Sequence, residues 1–314
     1  MTYEEMEKTK PLDALLKEAG FAVSERCCSR PSCFDFAARK NEALILIKSH
    51  LDIDTFSAED AAELKIISQC ISAISFLVGK RTRDKPLEDD TVYSRYDVSA
   101  FTPQTLENIL LQKFFPLIHA SPGGYYVEID SEAIKRRRQD LGLSSGEMAE
   151  RIGVSRRTLY GYERGMAKAS VTAAFNIIYT LGVPVVKPIN VFEETKSQRK
   201  CFLLTAKSAL AKNKFLRKIF GKFTRCKLAT VQRAPFDFVI IIPEEKMKII
   251  GGVANDKENE LHRRINEILS VSKVVKAHPI LVTDGSEHTE ENISCICKEE
   301  LSKIKNPEEL IHKL

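Results

Sequence analysis

Two short helices joined at a glycine, in the middle of the chain, constrain the fold more than any other sequence feature. Ser144 and Glu147 form the S-x-x-E pattern of a capping box, which predicts where the first helix begins. Gly153 can adopt the positive φ that lets the chain turn sharply, and Ser155 is placed to cap the next helix. The spacing predicts a helix-turn-helix arrangement whose second helix covers residues 155–164.

Two more helices are predicted, one on each side of this pair. One spans 131–140 with Ser131 as its N-cap, and the other spans 171–181 with Ser170 as its N-cap. Together the four helices predict a central all-α domain over 129–190. Apolar side chains at helical spacing are expected to form its core, and they are Met148, Ile152, Leu159, Phe175, Ile178 and Leu181.

Residues 143–165 read LSSGEMAERIGVSRRTLYGYERG and closely resemble the helix-turn-helix of the Cro and phage-repressor class. In that class the second helix of the motif enters the major groove with its N-terminal residues at the base edges. The resemblance implies that Arg156 and Arg157 hold reading positions, where an arginine can pair with guanine through two hydrogen bonds. A third reading position falls on Gly161, which has no side chain, so Tyr160 is a candidate replacement.

The same resemblance implies contacts to DNA phosphates, which fix the register of a protein on the duplex but read no sequence. The implied DNA-binding residues are Ser145, Ser155, Arg156, Arg157, Thr158, Tyr160, Gly161 and Arg164. Possible further backbone contacts are Arg137, Arg138, Lys212, Lys214, Arg217 and Lys218. The alternatives are a small helical bundle without a DNA function and a solvated face for the cations at 135–138.

Mixed α/β domains are predicted on both sides of the helices, over 1–128 and 195–314. Residues 11–78 predict the order α-β-β-β-α-β, whereas the charged stretch 81–92 is expected to be a loop. The second segment follows the same order of elements as the first, from its strands through a helix to a further strand. Both segments carry a Phe-Asp-Phe signature, centred on Asp35 and Asp237. We therefore interpret 195–314 as a possible repeat of the first domain.

Each α/β domain resembles the restriction-endonuclease-like core. In that fold an Asp on the second strand and an acid-x-Lys motif on the third strand hold a metal and activate water. Asp35 and Lys48 match the Asp and Lys positions, but Leu46 stands at the acid position. In the second copy Asp237 remains, and the Lys position falls on Ile250 or Gly251.

These departures predict degenerate nuclease folds rather than an enzyme. We expect no catalytic residue, no metal and no cofactor, with structural hydrogen bonds as the role of the two aspartates. The group Cys27, Cys28 and Cys33 has no C-x-x-C spacing and no histidine nearby, which disfavours a zinc site. The alternative is a metal-dependent DNA nuclease targeted by the helix-turn-helix.

The chain as a whole resembles an archaeal family named as "putative HTH-type transcriptional regulatory proteins". The residues that carry the resemblance are FDFAARK and LILIK, FLVGKRTRDKPLEDDTVYSRY, the Pro-Gly-Gly-Tyr-Tyr before the helices, and RAPFDF. This resemblance implies a DNA-binding regulator. The repressor-type motif further predicts sequence-specific binding to double-stranded DNA by a homodimer, because such motifs usually read two half-sites one helical turn apart. The flanking domains would then serve dimerisation, backbone contact or sensing, and the alternative is an adaptor that binds a protein or a ligand.

The distribution of charge agrees with a DNA partner. The chain has 48 Lys and Arg against 43 Asp and Glu, a formal charge of only +5. Within 195–236, however, there are 12 cations and no acidic residue. The alternatives for this stretch are a solvated basic linker and a surface for an acidic protein partner. The sequence holds no apolar run of membrane-spanning length and its N-terminus lacks a signal peptide, so we expect a cytoplasmic protein.

Overall fold

The structure is a computed structural model that describes residues 10–83, 85–192, 227–254, 260–283, 293–304 and 309. The chain forms two compact units. The α/β unit comprises Met1–Val78 and Phe192–Leu314, and the central unit comprises Gly79–Val191. This division groups the two predicted α/β segments together and differs from the predicted boundaries 1–128, 129–190 and 195–314, which stay a prediction.

The first part of the α/β unit follows the predicted order of elements. It consists of α1 (Leu12–Glu18), β1 (Ala22–Val23), β2 (Phe36–Lys40), β3 (Ala43–Ser49), α2 (Ala58–Ile71) and β4 (Ile74–Val78). The strands lie in the order β1-β2-β3-β4. The first two neighbouring pairs are antiparallel, and β3 runs parallel to β4 because α2 carries the chain back across the sheet.

The boundaries of α2 follow from its sequence. The Ser57 side chain accepts a hydrogen bond from the backbone N–H of Asp60 at 3.0 Å, as the capping pattern predicts. The helix ends at Ser72, which takes the left-handed conformation with φ of 59°.

The central unit begins with strands that the sequence did not suggest. Residues 81–92 were expected to be a loop, but they contain the ladder of β5 (Arg81–Thr82) with β6 (Lys85–Pro86) and the start of β7 (Thr91–Arg95). Exposed charged side chains do not prevent backbone pairing, so the expectation of a loop is wrong.

The sheet of the central unit is completed by β8 (Val98–Phe101), β9 (Ile118–Ser121) and β10 (Gly124–Ile129). The helix α3 (Pro103–Glu107) begins at Thr102, whose side chain caps it, and continues as a π-helix over Asn108–Gln112. The predicted turn at Pro122 and Gly123 joins β9 to β10 as an antiparallel hairpin.

The helical part of the central unit contains α4 (Ser131–Asp140), α5 (Ser145–Ile152), α6 (Arg156–Glu163) and α7 (Val171–Leu181). All four predicted helices are present. The region is nevertheless not all-α, because β11 (Ala169–Ser170) and β12 (Val186–Lys187) both pair with β10. These two-residue strands carry too little pattern for a sequence-based prediction.

The second part of the α/β unit repeats the topology of the first. Its elements are β13 (Lys227–Thr230), β14 (Phe238–Ile242), β15 (Met247–Val253), α8 (Leu261–Val275), β16 (His278–Thr283), β17 (Ser294–Cys297) and α9 (Lys298–Lys303). The strands lie in the order β13-β14-β15-β16-β17. As in the first copy, the first two pairs are antiparallel and the third pair, β15 with β16, is parallel.

The strand register identifies equivalent residues in the two copies. Phe36 pairs with Ile47 and Phe238 pairs with Gly251, so the residue after Gly251 is the equivalent of Lys48. That residue is Gly252 rather than the predicted Ile250 or Gly251. The sequence left this position ambiguous because it carries no lysine.

The two copies pack on each other through their helices. α2 of the first copy contacts β13 and β14 of the second, and α8 of the second copy contacts β2 of the first. Each copy therefore packs one helix against strands of the other copy, as the two subunits of a symmetric dimer do. Among the helices that the structure describes, none is both long and apolar enough to cross a membrane.

Candidate nucleic-acid interface

The two helices of the motif are held in place by local hydrogen bonds. Ser144 and Glu147 form the predicted capping box, in which the Ser144 N–H donates to the Glu147 carboxylate at 2.8 Å. Gly153 ends α5 with φ of 74°, a conformation that other residues adopt at a cost. Ser155 caps α6 by accepting from the Thr158 N–H at 3.0 Å. The turn is thus fixed from both sides.

A shared core fixes the angle at which these helices meet. Met148, Ala149, Ile152 and Leu159 are buried in one cluster with residues of α4, α7 and β10. Tyr162 joins the cluster and is only 5% exposed, and its burial raises the pKa of the phenol. The small side chain of Ala149 allows close approach of the helices. The predicted core positions Met148, Ile152 and Leu159 are confirmed.

An ion pair fastens α4 to the end of α6. The Arg138 guanidinium donates to both carboxylate oxygens of Glu163, at 2.5 and 3.2 Å, and also to the Leu143 carbonyl at 2.8 Å. Its side chain is 12% exposed. Arg137 donates to the Leu181 carbonyl at 3.0 Å. Both arginines were predicted as possible backbone contacts, and this placement gives them a structural role.

The first turn of α6 presents its cations to solvent. Arg156 and Arg157 are both exposed, and Ser145 on α5 is exposed as well. Tyr160 is 55% exposed, with the Arg164 guanidinium 5.1 Å from its ring centroid. The predicted reading and phosphate-contact residues of this region therefore occur together, on adjacent turns of α5 and α6.

Two glycines keep space free near these side chains. A Cβ on Gly146 would lie 2.8 Å from a nitrogen of the Arg156 guanidinium, so Arg156 extends over the start of α5. At Gly161 a Cβ would meet nothing closer than Ala167, at 3.6 Å. The third reading position is thus open as well as lacking a side chain.

The structure corrects three details of the predicted helices. Asp130, not Ser131, caps α4, and its hydrogen bond from the Ala133 N–H lowers the pKa of the carboxyl group. α6 ends at Glu163 rather than at the predicted residue 164. Phe175 is 66% exposed and stacks on Tyr179 with ring centroids 6.5 Å apart, so its predicted core position is wrong. Its neighbours Ala173, Ala174 and Ile177 face the core instead.

The remaining predicted backbone contacts lie outside the described residues, and they are Lys212, Lys214, Arg217 and Lys218.

At the nuclease-like position of the first copy, Asp35 and Lys48 form an ion pair with each other. Lys48 Nζ lies 3.0 Å from Asp35 Oδ1 and also donates to the Ser32 carbonyl at 2.8 Å. Asp35 Oδ2 accepts from the Ser49 N–H at 2.8 Å. Leu46, at the acid position, is fully buried in the core. The carboxylate of Asp35 therefore links β2 to β3, as its structural interpretation predicts.

The second copy holds its aspartate in a different way. Asp237 Oδ2 accepts from the Val253 N–H at 2.6 Å and pairs with Arg264, which is 2% exposed. Arg30 of the first copy adds a second ion pair at 3.0 Å. A Cβ on Gly252 would lie 2.8 Å from Ile268 Cδ1 and 3.4 Å from the Arg264 guanidinium, so a side chain here would press on α8. The cation thus comes from a helix and not from the strand.

Neither position gathers metal ligands. In the described parts of the chain, His, Cys, Asp and Glu side chains nowhere form a group of three able to hold a metal. Cys27 and Cys33 are buried, and burial raises the pKa of both thiols.

Sequence reasoning missed a reciprocal pair of glutamates. Glu63 on α2 accepts from the backbone N–H groups of Gln232 and Arg233 at 2.8 and 2.7 Å. Glu267 on α8 accepts from the backbone N–H groups of Cys28 and Ser29 at 2.9 and 2.8 Å. Each helix therefore caps a loop of the other copy. The local sequence gives no signal for this pair, because the bonded residues stand 169 or 170 positions apart for Glu63 and 238 or 239 for Glu267.

Comparisons with known proteins agree with this geometry. Residues 6–116 match a PD-(D/E)XK superfamily domain, and residues 134–187 match a helix-turn-helix family. A Methanosarcina barkeri protein is 32% identical over 95% of this chain and 93% of its own length. A Pyrococcus furiosus protein is 30% identical over 96% and 95%, and one from Methanocaldococcus jannaschii is 32% identical over 96% and 93%. All three are named "Putative HTH-type transcriptional regulatory protein".

The chain belongs to this archaeal family. The match to the PD-(D/E)XK superfamily covers Asp35 and Lys48, and the helix-turn-helix match covers α4 to α7. In this member of the family, the nuclease-like position has one carboxylate, which is already engaged by Lys48. No solved structure matches the chain.

Proposed function

We propose that the protein is a DNA-binding transcriptional regulator that reads the major groove with α6. The observation that carries the proposal is the exposed pair Arg156 and Arg157 in the first turn of α6, on a motif whose turn, caps and core are all fixed. Rigid presentation matters because base readout depends on placing each donor within hydrogen-bond range. The names of the relatives and the helix-turn-helix match support the same function.

Each side chain of the reading surface has a proposed role. Arg156 and Arg157 read base edges. An arginine that pairs with guanine through two hydrogen bonds favours that base over the others by about 1–3 kcal/mol. Tyr160, supported by Arg164, contacts bases or sugar where Gly161 offers no side chain. Ser145, Ser155 and Thr158 lie at helix starts, and we assign them to phosphate contacts.

Selection of bound fragments from random DNA tests this proposal and yields the operator. The double variant Arg156→Ala with Arg157→Ala should lose sequence preference. The matched control is Arg156→Lys with Arg157→Lys, which keeps both charges but removes the planar guanidinium. We expect the lysine control to retain non-specific DNA binding and to lose most of the preference. Unchanged selection by the alanine variant would refute the reading helix.

We further propose that the regulator acts as a homodimer, because proteins of this motif read two half-sites about one helical turn apart. The contact between the two α/β copies already lies within one chain, so that contact is not available for dimerisation. Light scattering of the purified protein, alone and with selected operator, tests the oligomeric state. A monomer that binds a single half-site would contradict the proposal.

We infer that the α/β unit does not hydrolyse DNA. Asp35 is engaged by Lys48 and by a backbone N–H, and the acid position is the buried Leu46. A metal-dependent nuclease needs ligands that these positions do not provide. Incubation of plasmid with Mg²⁺ or Mn²⁺ tests the inference, and cleavage that Asp35→Ala abolishes would establish the nuclease alternative.

A further inference from the structure

The outward face of α7 carries apolar side chains at a spacing of four residues. Val171, Phe175 and Tyr179 are 40%, 66% and 84% exposed, whereas the opposite face of the helix is buried in the core of the central unit. Residues four apart lie on the same side of a helix, and the Phe175 and Tyr179 rings stack on each other. We call this surface of three side chains the α7 stripe.

The helix that carries the stripe has no charged residue. No Asp, Glu, Lys or Arg occurs in Val171–Leu181, whereas α4, α5 and α6 each have charged side chains at exposed positions. A DNA backbone and an anionic membrane surface are both bound through cations, so neither fits this face. A second copy of the chain fits it, because two uncharged apolar surfaces meet without repulsion between like charges.

The stripe is held in a fixed position relative to the reading helix. The Asn176 side chain donates to the carbonyl of Ile152, the last residue of α5, at 3.1 Å. The Leu181 carbonyl at the end of α7 accepts from Arg137 of α4 at 3.0 Å. The buried face of α7 shares one core with Ile152 and with Leu159 of α6. A contact made through the stripe would therefore set the distance between the reading helices of two copies.

We propose that the α7 stripe is the surface through which a second copy of this chain forms the DNA-reading dimer. The proposal rests on the regulator function proposed above and assigns its dimer contact to the central unit. In a two-fold contact both copies use the same surface. The two helices cross antiparallel at Phe175, so that each end of one stripe lies beside the opposite end of the other.

The exposed area of the stripe indicates how strong this dimer is. Aromatic side chains bury about 150–250 Å² each, so at their present exposure Phe175 and Tyr179 offer about 300 Å² per copy. A stable interface takes about 800 Å² from each partner. The stripe therefore supports a weak dimer, which an operator with two half-sites strengthens by holding two copies close together. Binding to the two half-sites is accordingly cooperative.

The test compares the full-length protein with the stripe variant, Phe175→Ala with Tyr179→Ala. The control variant, Leu51→Ala with Phe114→Ala, removes two apolar side chains that are 57% and 50% exposed and lie outside α7. Circular dichroism establishes that each variant is folded. Binding is measured with duplexes that carry one or two half-sites of the selected operator. Sedimentation over a concentration series measures dimerisation without DNA.

Loss of the stripe should weaken the dimer but not the reading of one half-site. We expect the stripe variant to bind the duplex with two half-sites at least about tenfold more weakly than the wild type and the control, since buried aromatic side chains dominate interface energies. Its affinity for the duplex with one half-site should be unchanged. Without DNA, it should need at least about tenfold more protein to dimerise. Equal dimerisation and cooperativity of the stripe and control variants would overturn the proposal.

Opposite charges at the centre of the stripe identify the partner. Phe175→Glu and Phe175→Lys should each stay monomeric alone, because like charges meet at the two-fold axis, and an equimolar mixture should form a heterodimer. A mixture that is no more dimeric than either variant would mean that another protein or another segment of this chain covers the stripe, and would overturn the proposal.

Failure of the reading helix is distinguishable from failure of this contact. Sequence selection is measured with DNA and depends on Arg156 and Arg157, whereas sedimentation and the mixing of charged variants need no DNA. A protein that shows no sequence selection, but whose dimer is lost in the stripe variant, would retain the contact and lose the regulator proposal.

Discussion

The two α/β copies place an aspartate at the same point of the same fold but neutralise it differently. In both copies the aspartate accepts a hydrogen bond from the backbone N–H that follows the Lys48 position, at Ser49 or at Val253. Lys48 reaches Asp35 from β3, whereas Arg264 reaches Asp237 from α8, and Gly252 stands at the Lys48 position of the second copy. The comparison indicates that the aspartate is paired with a cation in both copies, although a strand supplies the cation in one copy and a helix supplies it in the other.

The largest expected effect comes from removing that charge in the second copy. Asp237→Asn leaves Arg264, which is 2% exposed, without its carboxylate, and an arginine cannot lose its proton. We expect the free energy of unfolding to fall by about 3–5 kcal/mol. Asp35→Asn is the matched variant and should cost less, about 1–3 kcal/mol, because Lys48 borders an open pocket. Urea denaturation measures both, and equal losses would contradict the comparison.

A second difference between the copies lies on β15, at Gly251, which pairs with Phe238. A Cβ on Gly251 would lie 2.0 Å from the Phe238 ring, whereas the equivalent residue in the first copy is Ile47. Gly251→Ala should therefore destabilise the protein by about 1–3 kcal/mol through overpacking. Adding Phe238→Leu should recover part of this loss. A double-mutant cycle with no coupling would show that the ring does not cause it.

The reciprocal glutamates provide a matched pair across the two copies. Glu267 is 2% exposed and also accepts from the Ser29 hydroxyl at 2.6 Å, whereas Glu63 is only partly buried. Glu267→Gln should cost about 1.5–3 kcal/mol, and Glu63→Gln less, because bonds to a charged acceptor weaken when the charge is removed. Chemical denaturation in parallel gives the ranking, and the reverse order would disprove it.

The smallest expected effect concerns Lys248, which donates to the Ile71 carbonyl at the end of α2. Burial lowers the pKa of Lys248 from its ordinary value of 10.5. Between the lowered pKa and 10.5 the unfolded chain binds more protons than the folded chain, so this group makes stability rise with pH there. The difference in unfolding free energy between the wild type and Lys248→Met should therefore vary over that window, and a constant difference would exclude the effect.

The local signals in the sequence predicted much of the fold. The capping box at Ser144, the glycine turn at Gly153 and the cap at Ser57 act within a few residues, so they appear in the sequence as fixed spacings. The order of helices and strands along the first copy was predicted for the same reason. Phe175 was misplaced because its helix is apolar on more than one face, and periodicity alone then leaves the inward face ambiguous.

The sequence by itself determined the helix-turn-helix, the exposed arginine pair that follows Ser155, and the loss of the acid at Leu46. Only the tertiary structure decided that the two α/β copies pack together, that Arg264 replaces Lys48, and that Phe175 and Tyr179 lie on the outward face of α7. The physical reason is distance along the chain. Caps and turns are set by neighbouring residues, whereas the contacts of Glu267 with Cys28 and Ser29 join residues more than two hundred positions apart.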